Sequence, residues 1–276
     1  MEWLGLLLLV SIALAAAIAL VPAIDGRPLG AAIARALVCA VKQDCHAEGA
    51  ALRRAYGDRD ATLVRANAPN IVYERGTLTL PVDYRRCRSH RCSDASDDGN
   101  LDAHRAARGG AAATAFTHVV RKRGKTYLQY WLYYPESATE PKGLIPLAKL
   151  FHVGYKGVHP DDWEGYQVRI DPNGMKSARA TKHGGYTWCK GWLWHNKCEQ
   201  WGPPNGWTRV SRGSHAGHVP DSTPGTGLHE RSTTAPAIRL VPLESLDHEA
   251  YRPLKDSDIK PPWEKPVYRN PISDSS

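Results

Sequence analysis

From Leu4 to Ile24 the chain runs for 21 residues without a charged side chain, and Ser11 carries the only hydroxyl. A segment of this kind has to be taken out of water, into a bilayer or into a core. As a helix it spans about 31 Å, enough to cross a bilayer interior. A secretory signal peptide is the rival reading. It would carry a positive start and a shorter apolar stretch, whereas Glu2 is the only side-chain charge ahead of this run. Ala23, set between Pro22 and Ile24, also makes no small-x-small cleavage pattern. The expectation is a retained single-pass transmembrane helix. It divides the chain into residues 1–25 as anchor or signal-like segment, 26–57 as a helical juxtamembrane segment, and 58–276 as a strand-rich globular domain. The residues beyond the anchor suffice for a full hydrophobic core.

Two signals disagree about which side of the membrane the domain occupies. Arg27, Arg35 and Lys42 follow the apolar run and no positive residue precedes it, which places the domain inside by the charge rule. The six cysteines point to the outside. Cys87 with Cys92, Cys189 with Cys198 and Cys39 with Cys45 form short-range pairs, a disulfide pattern that suits an oxidising compartment. Closing the Cys189–Cys198 loop is worth about 2–3 kcal/mol. Zinc is the alternative for four of the thiols, although their spacings match structural zinc knuckles poorly. Cys39 and Cys45 would lie about 9 Å apart along one continuous helix, too far to bridge. The cysteines carry the choice, and the domain is expected on the extracytoplasmic side of the cell membrane.

Nine tryptophans and twelve tyrosines against two phenylalanines give an amphipathic aromatic inventory. Gly30 to Tyr56 is Ala-rich with near-helical apolar spacing, and predicts a helix. After Gly57 the period shortens, and Leu78-Thr79-Leu80 reads as a strand stopped by Pro81. Phe116–Val120 and Lys125–Tyr134, joined by a basic turn around Gly124, predict a hairpin. In its second strand Tyr127, Gln129, Trp131 and Tyr133 share one face, and Leu128, Tyr130, Leu132 and Tyr134 the other. Trp163–Ile170 reads as a strand ended by the turn Asp171-Pro172-Asn173-Gly174. Tyr186–Trp188, Trp207–Ser211 and Ala237–Val241 are shorter strands, and Pro261-Pro262-Trp263 begins an extended strap. The expected fold is mainly β: an antiparallel β-sandwich-like or α+β globular domain preceded by the transmembrane helix. The basic run Arg85–Arg91, followed by Asp94, Asp97 and Asp98, reads as a solvated turn, so nucleic acid is not an expected partner.

The densest polar cluster is His159-Pro160-Asp161-Asp162-Trp163-Glu164-Gly165. Strand periodicity sets Asp162 and Glu164 on one face, about 7 Å apart, with Trp163 turned away. Two such carboxylates repel unless a divalent cation, an arginine or a shared proton intervenes. His159, just upstream, is a candidate to complete an oxygen- and nitrogen-rich cation site. The bland alternative is a solvated strand end paired with arginines such as Arg169. His183-Gly184-Gly185-Tyr186 and Ser211–His218 are glycine-punctuated loops. The second places Ser214 beside His215 and near His218, but no G-x-S-x-G elbow exists, and bracing the sheet is commoner work for such residues.

The run Tyr127–Pro135, the segment His159–Gly165 and the loop Ser211–His215 together resemble uncharacterised actinobacterial membrane-associated proteins. They are similar, more distantly, to the Vps62-related proteins, which share the aspartate-tryptophan-glutamate strand and a later glycine-serine-histidine motif. The His159–Gly165 segment also resembles the heptapeptide motif of the NEP1-like necrosis-inducing proteins, secreted β-sandwich cytolysins. That resemblance implies a divalent cation, used in binding a lipid headgroup, held by His159, Asp162 and Glu164. The family's further carboxylate corresponds to Ser137, with Glu136 one residue earlier, and its second motif histidine is Asp161 here. His215, from the later motif, completes the candidate metal set of His159, Asp162, Glu164, Glu136 and His215. Magnesium or calcium is the expected ion, with manganese or zinc less suited.

The functional expectation is a membrane-anchored envelope protein that binds a polar lipid headgroup or glycan through a cation-supported pocket lined by Tyr130 and Tyr134. One alternative is a metal-dependent hydrolase of an envelope lipid or glycan, with Asp162 or Glu164 as general base. The other is a structural protein without a catalytic site, and the sequence does not decide whether the protein is an enzyme.

Overall fold

The computed structural model describes residues 44–74, 77, 80–86, 88, 113–138, 158–182, 185–190, 197–219 and 229–273, with the backbone alone for some of them, among these Cys45, Glu136, Cys189 and Cys198. The organising element is strand β3 (Lys125–Ala138), whose fourteen residues hold the aromatic run. It pairs antiparallel with β2 (Thr114–Lys122) and β4 (Val158–Ile170). The turn joining β2 to β3 places Arg123 at φ 51° and Gly124 at φ 72°. Two positive φ angles in succession suit the right-handed twist of the flanking strands, and this is the expected hairpin. Beyond β4 follow β5 (Lys176–Lys182), β6 (Gly185–Lys190) and β7 (Lys197–Glu199). On the other side β11 (Arg239–Pro242) joins β2 in parallel, completing a seven-stranded sheet of order β11-β2-β3-β4-β5-β6-β7.

A smaller sheet of order β10-β1-β8-β9 is built from β1 (Asn70–Glu74), β8 (Trp207–Val210), β9 (Gly217–His218) and β10 (His229–Thr233). Its Ile71, Tyr73 and Val210 pack against Leu128, Tyr130, Leu132 and Tyr134 of the large sheet. The opposite face of the large sheet buries Phe116, Trp131, Tyr133, Trp163 and Tyr186 beneath Tyr251 and Val267 of the C-terminal segment. The two-residue alternation read along β3 is thus the division between two cores. Each of these large side chains contributes about 2–3 kcal/mol by leaving water. The architecture is a mainly antiparallel, β-sandwich-like domain, as expected.

Helix α1 (Asp44–Ala66) is interrupted at Gly57, where φ 75° and ψ 169° take the chain out of helical geometry. Only glycine enters that region freely, so the break falls where the sequence supplies one. The second half of α1 is fixed to the large sheet. The Tyr130 hydroxyl donates to the Val64 carbonyl at 2.7 Å, and Arg65 donates to the Ile238 carbonyl at 3.1 Å.

The C-terminal strap carries a turn of 3-10 helix (Pro262–Glu264) and the short helix α2 (Pro266–Arg269). It is tied to the sheet by Gln129, which donates to the Val267 carbonyl at 2.8 Å. Arg179 adds donation to the carbonyls of Pro271 and Ser273.

Three expectations need correction. Among the described residues no helix is long and apolar enough to cross a membrane, so the transmembrane helix, and the single-pass location in a cell membrane drawn from it, are overturned for the described fold. The apolar run itself, Leu4–Ile24, lies outside the described residues. No disulfide is present among the described side chains, which include none of the cysteines of the expected pairs. Cys39, Cys87 and Cys92 lie outside the described residues, while Cys189 and Cys198 stand opposite one another in the β6–β7 ladder. The expected strand at Leu78–Leu80 is not found at Leu80, and Leu78 and Thr79 lie outside the described residues.

Candidate functional site

The polar segment His159–Gly165 forms the first half of β4. Its pairing with β3 is regular from Thr126↔Ile170 to Tyr134↔Asp162, then skips one pair and resumes at Glu136↔Pro160. The skipped position is Asp161, at φ 57°. Alternation sends Asp162 and Glu164 toward the small sheet, and His159, Asp161 and Trp163 to the other side.

On the inner side Asp162 accepts a hydrogen bond from the ring Nδ1 of His215 at 3.0 Å. The His215 ring stacks on Tyr134, with centroids 3.9 Å apart and planes at 1°. The loop after β8 makes this possible. Gly213 at φ 81° and His215 at φ 51° close a tight turn, in which the Ser211 amide donates to the Ala216 carbonyl. The same loop pairs the Ser211 hydroxyl with the His218 ring at 2.9 Å.

Glu164 lies next to Asp162 and accepts a short hydrogen bond from the Thr181 hydroxyl. Burial, and then the negative charge of Asp162, push the Glu164 carboxyl well above its ordinary value, against the pull of Thr181 and Lys265. Lys265 reaches in from the strap and donates to the Trp163 carbonyl at 3.2 Å. Burial draws its ammonium below the ordinary value, and the carboxylates of Glu164 and Asp162 oppose that. The Lys265 ammonium and the upward shift of the Glu164 carboxyl both temper the repulsion expected between the two carboxylates.

Among the described residues no group of three or more His, Cys, Asp or Glu side chains is arranged to hold a metal ion. His159 points its Nδ1 at the Asp161 carbonyl, 2.8 Å away, on the opposite side from Glu164. Glu136 stands opposite Pro160, described by its backbone alone. Tyr130 and Tyr134 have no exposed surface and line no open pocket. The reading as a membrane-anchored, cation-dependent envelope protein is corrected on both counts, and the alternative without a catalytic site fits the described residues better.

A titration tests the state of Glu164. Its raised value means that the folded protein holds this proton more tightly than the unfolded chain does. Stability therefore falls as pH rises from the ordinary carboxyl range through the folded value. Glu164→Gln removes that dependence. Urea unfolding of the two proteins between about pH 5 and pH 8 should show the variant gaining on the parent as pH rises. Parallel stability curves would mean that Glu164 is ionised throughout.

An open cavity lies on the other side of β4. Tyr84, Arg85 and Arg88 and the turn after Leu243 border a cavity of about 390 Å³, lined also by Asp247, Tyr251 and Arg252 among others. Its floor is aromatic: Tyr84 and Tyr251 meet edge to face, with centroids 5.3 Å apart. The Arg88 guanidinium lies over the Tyr251 ring at 4.9 Å and donates to Asp161 at 2.5 Å. Burial alone would raise the Asp161 carboxyl, but hydrogen bonds from Tyr133, the Leu254 amide and Arg88 hold it below its ordinary value. Asp83 anchors the other wall, taking Arg85 in a two-point pair at 2.8 and 2.7 Å and Arg239 at 3.3 Å. Asp247 accepts from the amides of Glu249 and Ala250, fixing the turn that carries Tyr251.

Sequence reasoning passed over this site, because Arg85–Arg91 reads as a solvated charge run. The available signal was Asp83 and Tyr84 at its head, with Asp161 at a distance in sequence.

No family model matches the chain, and no curated protein matches it. Solved structures do. NLPPya in complex with glucosamine is similar over 75% of this chain and 85% of its own, at 14% identity and a TM-score of 0.39. NLPPya in complex with mannosamine covers the same shares at 13% identity and a TM-score of 0.40. Necrosis and Ethylene inducing Protein 2, from the causal agent of cocoa's Witches Broom disease, is similar over 66% of this chain and 73% of its own. Its identity is 18% and its TM-score 0.35. The chain therefore has a distant, partial structural similarity to the necrosis-inducing toxin-fold proteins, and no match supports the actinobacterial or Vps62-related resemblances.

Proposed function

We propose that the domain is a binding module and that its ligand, of the sugar type, sits in the cavity between Tyr84 and Tyr251. The observation that carries this reading is the cavity's make-up: an aromatic floor with fixed arginines at its wall, open to solvent. Its volume of about 390 Å³ falls within the range of small-molecule sites. Arg88 is held by Asp161 and by the Tyr133 hydroxyl, so its remaining N–H is aimed without further loss of side-chain freedom. The buried Asp162 and His215 hold one another, and Glu164 is held by Thr181.

Ala250 lines the cavity and is exposed, so a large residue there fills the space without entering either core. Calorimetric titration of the full chain with neutral, amino and acidic monosaccharides should find saturable binding. Ala250→Trp should weaken it at least tenfold, about 1.4 kcal/mol, with an unchanged melting midpoint. The amino sugars named for NLPPya enter the panel as probes. A panel without any binding sugar, or undiminished binding by Ala250→Trp, would overturn the reading.

A further inference from the structure

We infer that the ligand of this cavity carries a negative charge, a carboxylate or phosphate group on the sugar, recognised by Arg85, Arg88 and Arg252. The inference rests on the binding reading above and specifies its ligand. It follows from counting hydrogen-bond capacity, since each guanidinium offers five N–H donors and no acceptor.

The buried acceptors beside the cavity are already engaged. Asp83 is shared by Arg85 and Arg239, and Arg86 approaches it at 4.0 Å. One oxygen of Asp161 takes Arg88 and the Tyr133 hydroxyl, and the other takes the Leu254 amide at 2.7 Å. Asp247 takes two backbone amides, both on Oδ1. The donors are in surplus. Arg85 uses only its Nε and one Nη2 hydrogen, both on Asp83. Arg252 uses only Nη1, on the carbonyls of Glu249 and Tyr251. Arg88 makes bonds from all three nitrogens yet keeps one N–H in reserve. Three carboxylates, those of Asp83, Asp161 and Asp247, are thus set against five guanidinium groups, those of Arg85, Arg86, Arg88, Arg239 and Arg252. A group that only accepts hydrogen bonds and carries negative charge answers both imbalances. Planar guanidinium forks match carboxylate and phosphate oxygens in geometry as well.

The test compares glucuronate and glucose 6-phosphate with glucose, glucosamine and inorganic phosphate, by titration calorimetry on the full chain. The acidic sugars should bind at least tenfold more tightly than glucose, and glucosamine should bind more weakly still. Raising the salt to about 0.5 M should shrink the preference, because exposed charges are then screened within a few ångströms. Arg252→Gln, at an exposed residue bonded only to nearby carbonyls, should bring glucuronate down toward glucose. Equal binding of glucose and glucuronate would overturn the charge inference and leave the sugar reading standing. Inorganic phosphate binding as tightly as glucose 6-phosphate would overturn the sugar reading while leaving an anion site. Binding of none of the five would overturn both.

Discussion

Gly165→Ala should lower the unfolding free energy by about 3 kcal/mol, at the upper end of what overpacking costs. A Cβ at this position would lie 1.8 Å from the Tyr186 hydroxyl oxygen and 2.7 Å from the ring carbon that bears it. The tyrosine has nowhere to retreat. Its ring has no exposed surface and meets Trp131 edge to face at 6.1 Å, with the Arg179 guanidinium 4.8 Å from its centroid. The Tyr186 hydroxyl is itself buried without a hydrogen-bond partner. Tyr186→Phe should therefore be neutral or slightly stabilising, since an unpaired buried hydroxyl is lost. Combined with Gly165→Ala it should recover part of the loss, because the nearest clash disappears while the ring carbon remains close. Denaturant melts of the four proteins in a double-mutant cycle measure this coupling. Additive effects would show that the two side chains do not meet.

Asp161→Ala should cost about 3 kcal/mol or more. The carboxylate is fully buried and is the common acceptor of Arg88, Tyr133 and the Leu254 amide. Removing one partner of a buried pair leaves the other charge uncompensated, which typically costs about 3–5 kcal/mol. The low end applies because the Arg88 side chain retains 20% of its exposure. Asp161→Asn is the informative control. Asparagine tolerates the positive φ of this position and keeps an acceptor for Tyr133, so its loss should be clearly smaller. The depressed carboxyl adds a pH signature. Its stabilisation is complete above the ordinary aspartate range, near pH 4, and is lost as pH falls toward the folded value. Acid melts of parent and Asp161→Asn should converge below about pH 4. Curves that stay apart at acid pH would mean that the charge pair is not the source of the difference.

The fold was legible where the pattern is local. The alternation Leu128–Tyr134 and the turn at Arg123–Gly124 define β2 and β3 without outside information, and both are found in place. Strands β1, β9 and β10 were not legible. They are two to five residues long, and β1 pairs with strands more than a hundred residues away, so no local period marks them. For the candidate site, period two placed Asp162 and Glu164 on one face correctly. What relieves their repulsion could not be read, because Lys265 and His215 arrive from distant segments. His159 was assigned to that face as a loop residue, whereas β4 extends to Val158 and fixes it on the other. The cavity was hidden for the same reason. Asp83 and Asp161 neutralise part of a basic run that looks uniformly solvated until the strands are assembled.

Titration of glucuronate into the isotope-labelled full chain, followed by nuclear magnetic resonance, separates the two polar sites directly. The account predicts that the guanidinium Nε resonances of Arg85, Arg88 and Arg252 shift saturably, while the His215 ring and the Glu164 carboxyl stay unmoved. Shifts at His215 and Glu164 with the three arginines unchanged would contradict it, and would place the ligand between the two sheets instead of against Tyr84 and Tyr251.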